Sequence, residues 1–473
     1  MWQKIIAWIR EAWSKMIGTS NVKQALGVDV TLSPLMVDAL QTWASMYVNQ
    51  SPWLTGNMQS LNLGAGIAAE VARAVTIEAE ITVTGSARAE FLQAQLQQVI
   101  DRLRITTEYA TAKGGLMLKP YINNAGGLTV DFVQADQFYP VAFDANGKMT
   151  ACVFADQKAM GGVYYTRLEY HALLSDGYHI TNTAWRSSTK DVLGNQIPLT
   201  QVAEWAELMP EVTIANVKAP LFAYFKMPFA NNIDTSSPLG VSIYSRAVDL
   251  IKQADQQWTD FLWEFESGKR ALYTDPLAFE KDKTTNKPIL PDRRLYRLLD
   301  LQGKIDGKGL FEEWTPTLRE VQILNGLDAI LRRIEFNCGL SYGVLSNPES
   351  VALTATEIKA SKQRYYSTVA DIQKGLQATL DGLLYAMDVW ATLGNLAPAG
   401  TYSTTYWWDD SIVADHDTAF TQDLQALGQV MSKVEFRMRN YGEDEETARK
   451  MIAMMDAETK PVSFFDPVNT GGV

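Results

Sequence analysis

Three histidines, His171, His179 and His416, and two cysteines, Cys152 and Cys338, hold all the imidazole and thiol chemistry of this 473-residue chain. Two thiols cannot build a disulfide scaffold or a cysteine-rich zinc module. Three imidazoles leave few ways to assemble a histidine-based catalytic or metal centre. His171, Asp176 and His179 are close enough in sequence to share a metal, but strand geometry argues against it. With Asp176-Gly177 as a hairpin turn, Leu174 faces His179, and His171, three residues from Leu174, projects from the opposite sheet face. Structural or surface roles are therefore expected for both. His416, between Asp415 and Asp417, is expected at a helix start.

Two glycine-rich stretches imitate nucleotide motifs. Gly64-Ala65-Gly66-Ile67-Ala68-Ala69 needs a preceding strand to aim its turn at a pyrophosphate, and Gly56-Asn57-Met58-Gln59-Ser60 is not one. Small residues at a helix start are the expectation there. Gly303-Lys304-Ile305-Asp306-Gly307-Lys308-Gly309 is one residue short of a P-loop and has Gly309 where a Ser or Thr would hold Mg²⁺. It reads as a turn between short strands. No Gly-x-Ser-x-Gly, no His-Glu-x-x-His and no thiol with a local catalytic signature is present. The acidic pair Asp409-Asp410 and the run Glu443-Asp444-Glu445-Glu446 read as solvated helix starts, where negative charge suits the dipole. No catalytic residue, cofactor or metal is expected.

Charge points the same way. Lys and Arg number 42 against 54 Asp and Glu, a formal charge of -12, the reverse of the balance that grips phosphates. The charge is also uneven. Residues 269–316 are slightly basic, with Arg293, Arg294, Arg297, Lys304 and Lys308 among their cations, whereas 409–458 are strongly acidic. No uninterrupted apolar run of about 18 residues exists, so no transmembrane helix is expected. The first residues, Trp2 to Ile17, carry an amphipathic helical pattern whose polar face mixes Lys4, Arg10, Glu11 and Lys15. They read as a helix docked on protein rather than a signal peptide or membrane anchor.

The elements that must position these residues follow from periodicity. Helices are predicted near 36–49, 65–74 and 87–111, with an alternating strand at 76–83. From 114 to about 199 the pattern is one of strands and hairpins, with Asn146-Gly147 and Asp176-Gly177 as two-residue turns. Ser237-Pro238 reads as an N-cap and N1 pair that opens a helix running to Gly268, striped by Leu239, Ile243, Ala247, Leu250, Ile251, Ala254, Trp258 and Leu262. At roughly thirty residues it would span about 45 Å. A small insert, 269–316, precedes a second long helix at 317–338, striped by Val321, Leu324, Leu327, Leu331 and Ile334. After a loop at 339–353, the capping box Thr354-Ala355-Thr356-Glu357 opens a helix to about Leu393. A Gly/Pro/Thr segment, 394–405, breaks the pattern. Helices are predicted at 415–441 and 443–458, and a disordered tail after Pro461.

This succession, an α+β body, a helix out, an insert, a helix back, a loop and a capped helix, resembles the portal proteins of tailed bacteriophages. Local sequence resembles the portals of phages infecting Gram-positive bacteria. The stretches that carry it are Trp43-Ala44-Ser45-Met46-Tyr47-Val48-Asn49, Leu61-Asn62-Leu63-Gly64 with Ile67-Ala68, Ala112-Lys113-Gly114-Gly115, and Ala135-Asp136-Gln137-Phe138-Tyr139-Pro140. Ala230-Asn231-Asn232-Ile233-Asp234, Pro238-Leu239-Gly240-Val241-Ser242 and Leu353-Thr354-Ala355-Thr356-Glu357-Ile358 complete the set. No single one is diagnostic; their order and spacing together are fairly specific.

The resemblance implies an elongated subunit: a wing (1–236), stem helices (237–268 and 317–338), a small α/β clip (269–316), a tunnel loop (339–353), a long helix returning to the wing (354–408), a helical crown (409–458) and a tail (459–473). It implies a ring of twelve at one capsid vertex, assembled in the host cytoplasm, contacting the major capsid protein, the terminase large subunit and a head–tail adaptor. Double-stranded DNA would pass through without sequence-specific binding. Asn347, Glu349 and Ser350 would face it, and Arg293, Arg294, Arg297, Lys304 and Lys308 would offer the clip surface to terminase or adaptor. Another virion structural or minor head protein, a capsid-associated nuclease, a nucleotide-driven motor subunit and a membrane-bound assembly platform are the alternatives.

Overall fold

A computed structural model of the chain describes residues 18–123, 126–274, 279–281, 288–290, 296–298, 311–347, 355–408, 420, 423–428 and 430–458. The amphipathic segment at 2–17, His416, the Gly303–Gly309 stretch and the tail lie outside them. The chain divides into two compact units, Met1–Asp409 and Asp410–Val473. The fold is mixed α+β.

The first unit opens with α1 (Thr19–Leu26), α2 (Pro34–Tyr47) and α3 (Leu63–Thr76). Ser33 caps α2 by accepting from the Met36 N–H, and Pro34 sits where the missing N–H costs nothing. Strand β1 (Ala79–Thr84) follows. The predicted helix at 87–111 is two, α4 (Ala87–Ile100) and α5 (Leu103–Lys113). The Asp101 N–H bonds back to the Gln97 and Val99 carbonyls, and the short break lets α4 cover β1 while α5 packs on α3.

Strands β2 (Gly115–Ile122), β3 (Leu128–Gln134) and β10 (Ala223–Lys226) form one sheet in the order β10-β2-β3. A second, antiparallel sheet is a meander of β4 (Phe138–Phe143), β5 (Met149–Met160), β6 (Val163–Leu174), β7 (Gly177–Ser187) and β8 (Asn195–Ile197), with β9 (Glu211–Ile214) also on β7. Both predicted hairpins form, with different turns. Leu174 pairs with Gly177, so Ser175 and Asp176 make the tight turn. Phe143 pairs with Met149 across a longer loop, where the Asp144 side chain accepts from the Asn146 and Lys148 N–H groups and only Gly147 has positive φ.

The largest correction concerns 237–268. The helix there, α6, runs only over Val248–Ser267, about 30 Å instead of 45 Å. The ten residues before it are irregular backbone inside the body core. Leu239, Val241, Ile243, Tyr244 and Ala247 are all buried, and the Ile243 N–H donates to the Thr111 carbonyl. Gly240 passes so close to Gly114 that a Cβ there would lie 2.0 Å from the Gly114 carbonyl oxygen. Apolar residues at spacing four were thus buried on all sides, not along one stripe.

Three short strands follow α6: β11 (Ala271–Thr274), β12 (Tyr296–Leu298), parallel to it, and β13 (Phe311–Trp314), antiparallel to it. Helix α7 (Glu320–Cys338) returns antiparallel to α6. Glu264 near the end of α6 meets Arg319 at the start of α7, and Asn337 at its far end reaches the Arg246 carbonyl. Helix α8 (Ala355–Leu393) buries Val369, Ile372, Leu376, Leu380, Leu383 and Met387 along one face against β2, β10, α3 and α4. The predicted break then leads into an unpredicted strand, β14 (Ser403–Trp408), antiparallel to β1.

In the second unit, the predicted helix at 415–441 is interrupted. Helical residues at 423–426 are followed by a turn, and Ser432 caps a new helix, α9 (Lys433–Tyr441), before α10 (Glu445–Glu458).

Candidate functional site

The residues of greatest interest lie where α7 turns into α8. Gly339 ends α7 with φ 70°, and the chain then folds back over the helix it has left. Glu335, one turn before the end of α7, is fully buried. Its Oε1 accepts from the backbone N–H of Gly343 at 3.1 Å, Leu345 at 2.6 Å and Ser346 at 2.9 Å, and Oε2 accepts from the Ser346 hydroxyl at 2.9 Å. Two turns earlier on α7, Asp328 accepts from the Asn347 N–H at 2.7 Å and is held by Arg332 at 2.6 Å. From the other side, α8 contributes Ser361, which accepts from the Tyr342 N–H at 2.7 Å, and Arg364, which donates to the Leu340 carbonyl at 3.2 Å. The Arg364 guanidinium lies over both the Phe336 and Tyr342 rings, 4.7 and 5.2 Å from their centroids.

Of the residues expected in this loop, Asn347 is exposed at its described end; Glu349 and Ser350 lie outside the described residues. Of the five cations expected at the insert, Arg297 lies on β12, paired in register with Tyr273 of β11. Arg293, Arg294, Lys304 and Lys308 lie outside the described residues.

The α6/α7 pair is half solvated. Its inner contacts include buried Ile251, Ala254, Leu327 and Ile334. Toward the insert, Leu262, Trp263, Phe265, Val321 and Leu324 are exposed on the single chain, Trp263 at 62%. Asp255, 2% exposed on α6, ties the pair to the loop after α2 by accepting from the Trp53 indole at 2.9 Å and the Leu61 N–H at 2.8 Å.

A cluster that sequence spacing did not reveal lines a cleft of about 1380 Å³ between the two sheets of the body. Glu169 receives Lys119 at 2.7 Å, Arg167 at 3.1 Å and His171 Nε2 at 2.8 Å. Burial alone would raise the Glu169 pKa, but Lys119, His171 and Arg167 outweigh it and hold the carboxyl well below its usual range. Burial pushes His171 below the ordinary histidine value. Because the carboxylate only accepts, Nε2 carries the proton and Nδ1 accepts from Tyr178 Oη at 2.8 Å. Both ring nitrogens are therefore engaged, which leaves no free base. His179 sits on the other face of the sheet, with Asp176 at 2.9 Å and Thr213 at 3.2 Å. The true register differs from the expected one by two residues, which preserves face parity, so the histidines are separated as expected.

Gly64, at the start of α3, is a packing residue: a Cβ there would lie 2.9 Å from the Met46 carbonyl oxygen of α2. Among the described residues, no group of three or more His, Cys, Asp or Glu side chains could hold a metal, and no helix is long and apolar enough to cross a membrane.

A family model for phage portal proteins of the SPP1 Gp6-like type matches residues 95–460, more than half of the chain. The chain belongs to that family. This portal protein is thus a virion component, the head–tail connector, with a structural rather than an enzymatic role. The portal chain is also similar to a chain in the neck of a native GTA particle computed with C12 symmetry. That match has 10% identity, covers 89% of this chain and 97% of the other, and has a TM-score of 0.43. No curated protein matches.

Proposed function

We propose that this portal subunit assembles as a ring of twelve at one capsid vertex and conducts DNA inward during packaging and outward into the tail. The observation that carries the reading is the α6/α7 pair. A pair whose Leu262, Trp263, Phe265, Val321 and Leu324 face water is a poor monomer, and copies related by a closed heterologous interface would cover them.

In this reading residues 1–236 form the wing, 237–268 and 317–338 the stem, 269–316 the clip, 339–353 the tunnel loop, 354–408 the return to the wing, and 409–458 the crown. The stem helix proper starts at Val248. The clip, through Arg293, Arg294, Arg297, Lys304 and Lys308, docks the terminase large subunit and later the head–tail adaptor, while the body meets the major capsid protein. Asn347, Glu349 and Ser350 face DNA. A loop without Lys or Arg and an acidic segment at 409–458 keep phosphates mobile by repulsion, where each strong contact would add salt-dependent affinity and slow translocation. The resemblance of the local stretches supports a phage of Gram-positive bacteria as the source.

Electron microscopy and mass measurement of the purified protein test the assembly. Rings of roughly 630 kDa, twelve times 52.7 kDa, are expected; a stable monomer without a channel would overturn the reading. Glu349→Lys tests the loop. Slower packaging is expected from added phosphate attraction, and an unchanged rate would remove the loop from the DNA path.

A further inference from the structure

A carboxylate in the last turn of a helix opposes the helix dipole, and a buried one must also be stripped of water. Glu335 accepts both penalties. It is fully buried, three residues from the end of α7, and no Lys or Arg forms an ion pair with it among the described contacts. What compensates it is backbone. Gly343, Leu345 and Ser346 aim their N–H groups at one oxygen, and the Ser346 hydroxyl takes the other. N–H groups from one turn converging in this way form an anion-binding concavity, a nest, here filled by the protein's own side chain. Gly343, at φ 89°, gives the turn the left-handed conformation that closes the nest.

The rest of the turn is tied just as closely. Asp328 holds the Asn347 N–H. Ser361, Arg364 and Thr368 of α8 hold the Tyr342 N–H and the carbonyls of Leu340 and Gly339. Nearly all these bonds run from helix side chains to loop main chain, so they depend on where the two helices stand.

We propose that Glu335 is a positioning residue for the DNA path: its nest fuses the end of α7, residues 339–347 and the facing turns of α8 into one rigid joint. A shift of α7 is then delivered to the chain at Asn347 without being absorbed in the turn. The inference rests on the tunnel-loop reading for its meaning in DNA conduction. The joint itself rests on geometry alone.

Hydrogen exchange read by mass spectrometry on assembled full-length rings tests it, beside packaging rate. In the wild type the amides of Gly343, Leu345 and Ser346 should exchange as slowly as those of the neighbouring α7 turn. Glu335→Ala should speed Leu345 and Ser346 on the order of tenfold or more, the loss of one good hydrogen bond each, and Gly343, whose N–H also reaches the Ser346 Oγ at 3.2 Å, by less. Glu335→Gln keeps an acceptor oxygen for the three N–H groups, and Ser346 can rotate to accept from the new amide, so most protection should remain. Packaging should slow in Glu335→Ala and recover in Glu335→Gln, a rescue that general destabilisation would not produce. Unchanged exchange in Glu335→Ala overturns the joint. Faster exchange with unchanged packaging leaves the joint standing and removes the tunnel-loop reading instead. If Glu335→Ala does not assemble, wild-type rings still decide, because fast exchange at the three amides would sink the proposal.

Discussion

The indole N–H of Trp53 donates to the carboxylate of Asp255 at 2.9 Å, joining residues 202 positions apart. The other oxygen of Asp255 takes the Leu61 N–H, and one turn on, Thr259 accepts from the Gln59 N–H at 2.9 Å. The loop between α2 and α3 is thus clamped to the middle of α6. Asp255→Ala leaves two partly buried donors without acceptors and should cost about 1–3 kcal/mol. Asp255→Asn keeps one acceptor and should fall between. Thermal unfolding followed by tryptophan fluorescence measures this, and equal midpoints for all three proteins would show that the clamp contributes nothing.

Two glycines give opposite expectations. Gly240→Ala forces a methyl against the Gly114 carbonyl, at 2.0 Å before any relaxation, and neither backbone can yield without breaking the Ile243–Thr111 bond beside it. A loss of about 3 kcal/mol or more, or no soluble protein, is expected. Gly66→Ala, inside α3 with nothing within 4 Å, should instead gain about 0.5–1 kcal/mol from helix propensity. Chemical denaturation of both variants reads the difference; a mild Gly240→Ala would contradict the close approach.

Acid should weaken the body in two stages. The His171 pKa is lower in the fold than its ordinary 6.5, so below pH 6.5 the unfolded chain binds the proton more readily. The stability is complete above that value and is lost as pH falls toward the folded pKa. Glu169 is likewise depressed from 4.5, and its contribution is lost only below that pH. Melting temperature against pH should therefore begin to fall near pH 6.5 in the wild type and stay flatter across pH 5–6.5 in His171→Asn. Parallel curves would exclude His171 as the source.

The apolar flank of α6 and α7 gives an assembly prediction. Val321 and Leu324 are 57% and 41% exposed, so Val321→Glu with Leu324→Glu costs the single chain little. At an interface the same carboxylates would be buried without partners. Native mass measurement should show monomers of ordinary melting temperature in place of rings. Rings of unaltered mass would place the interface elsewhere.

Much of this was legible in the chain itself. The existence of α2, the small residues at the start of α3, the two hairpins at 146–147 and 176–177 and the end of α8 follow from local patterns, because amphipathic periodicity and turn chemistry act over a few residues. The order of motifs carried the family. The stretch from Leu239 to Ala247 misled because burial on every side and burial along one stripe leave the same apolar spacing. The alternating pattern at 76–83 announced β1 but not its partner β14, because 329 positions separate the paired Ala79 and Trp408 and Ser403–Trp408 becomes a strand only beside β1.

By itself, then, the sequence determined an acidic α+β chain without a recognisable catalytic motif, with long helices about a small insert. Only the tertiary structure decided where α6 begins, that Glu169 collects Lys119, Arg167 and His171, and that Glu335 and Asp255 bind loops rather than ligands. The start of α6 depends on apolar burial from every side; the carboxylates share another reason. A buried polar group is explained by partners that satisfy it, and those partners arrive from distant parts of the chain only when it folds.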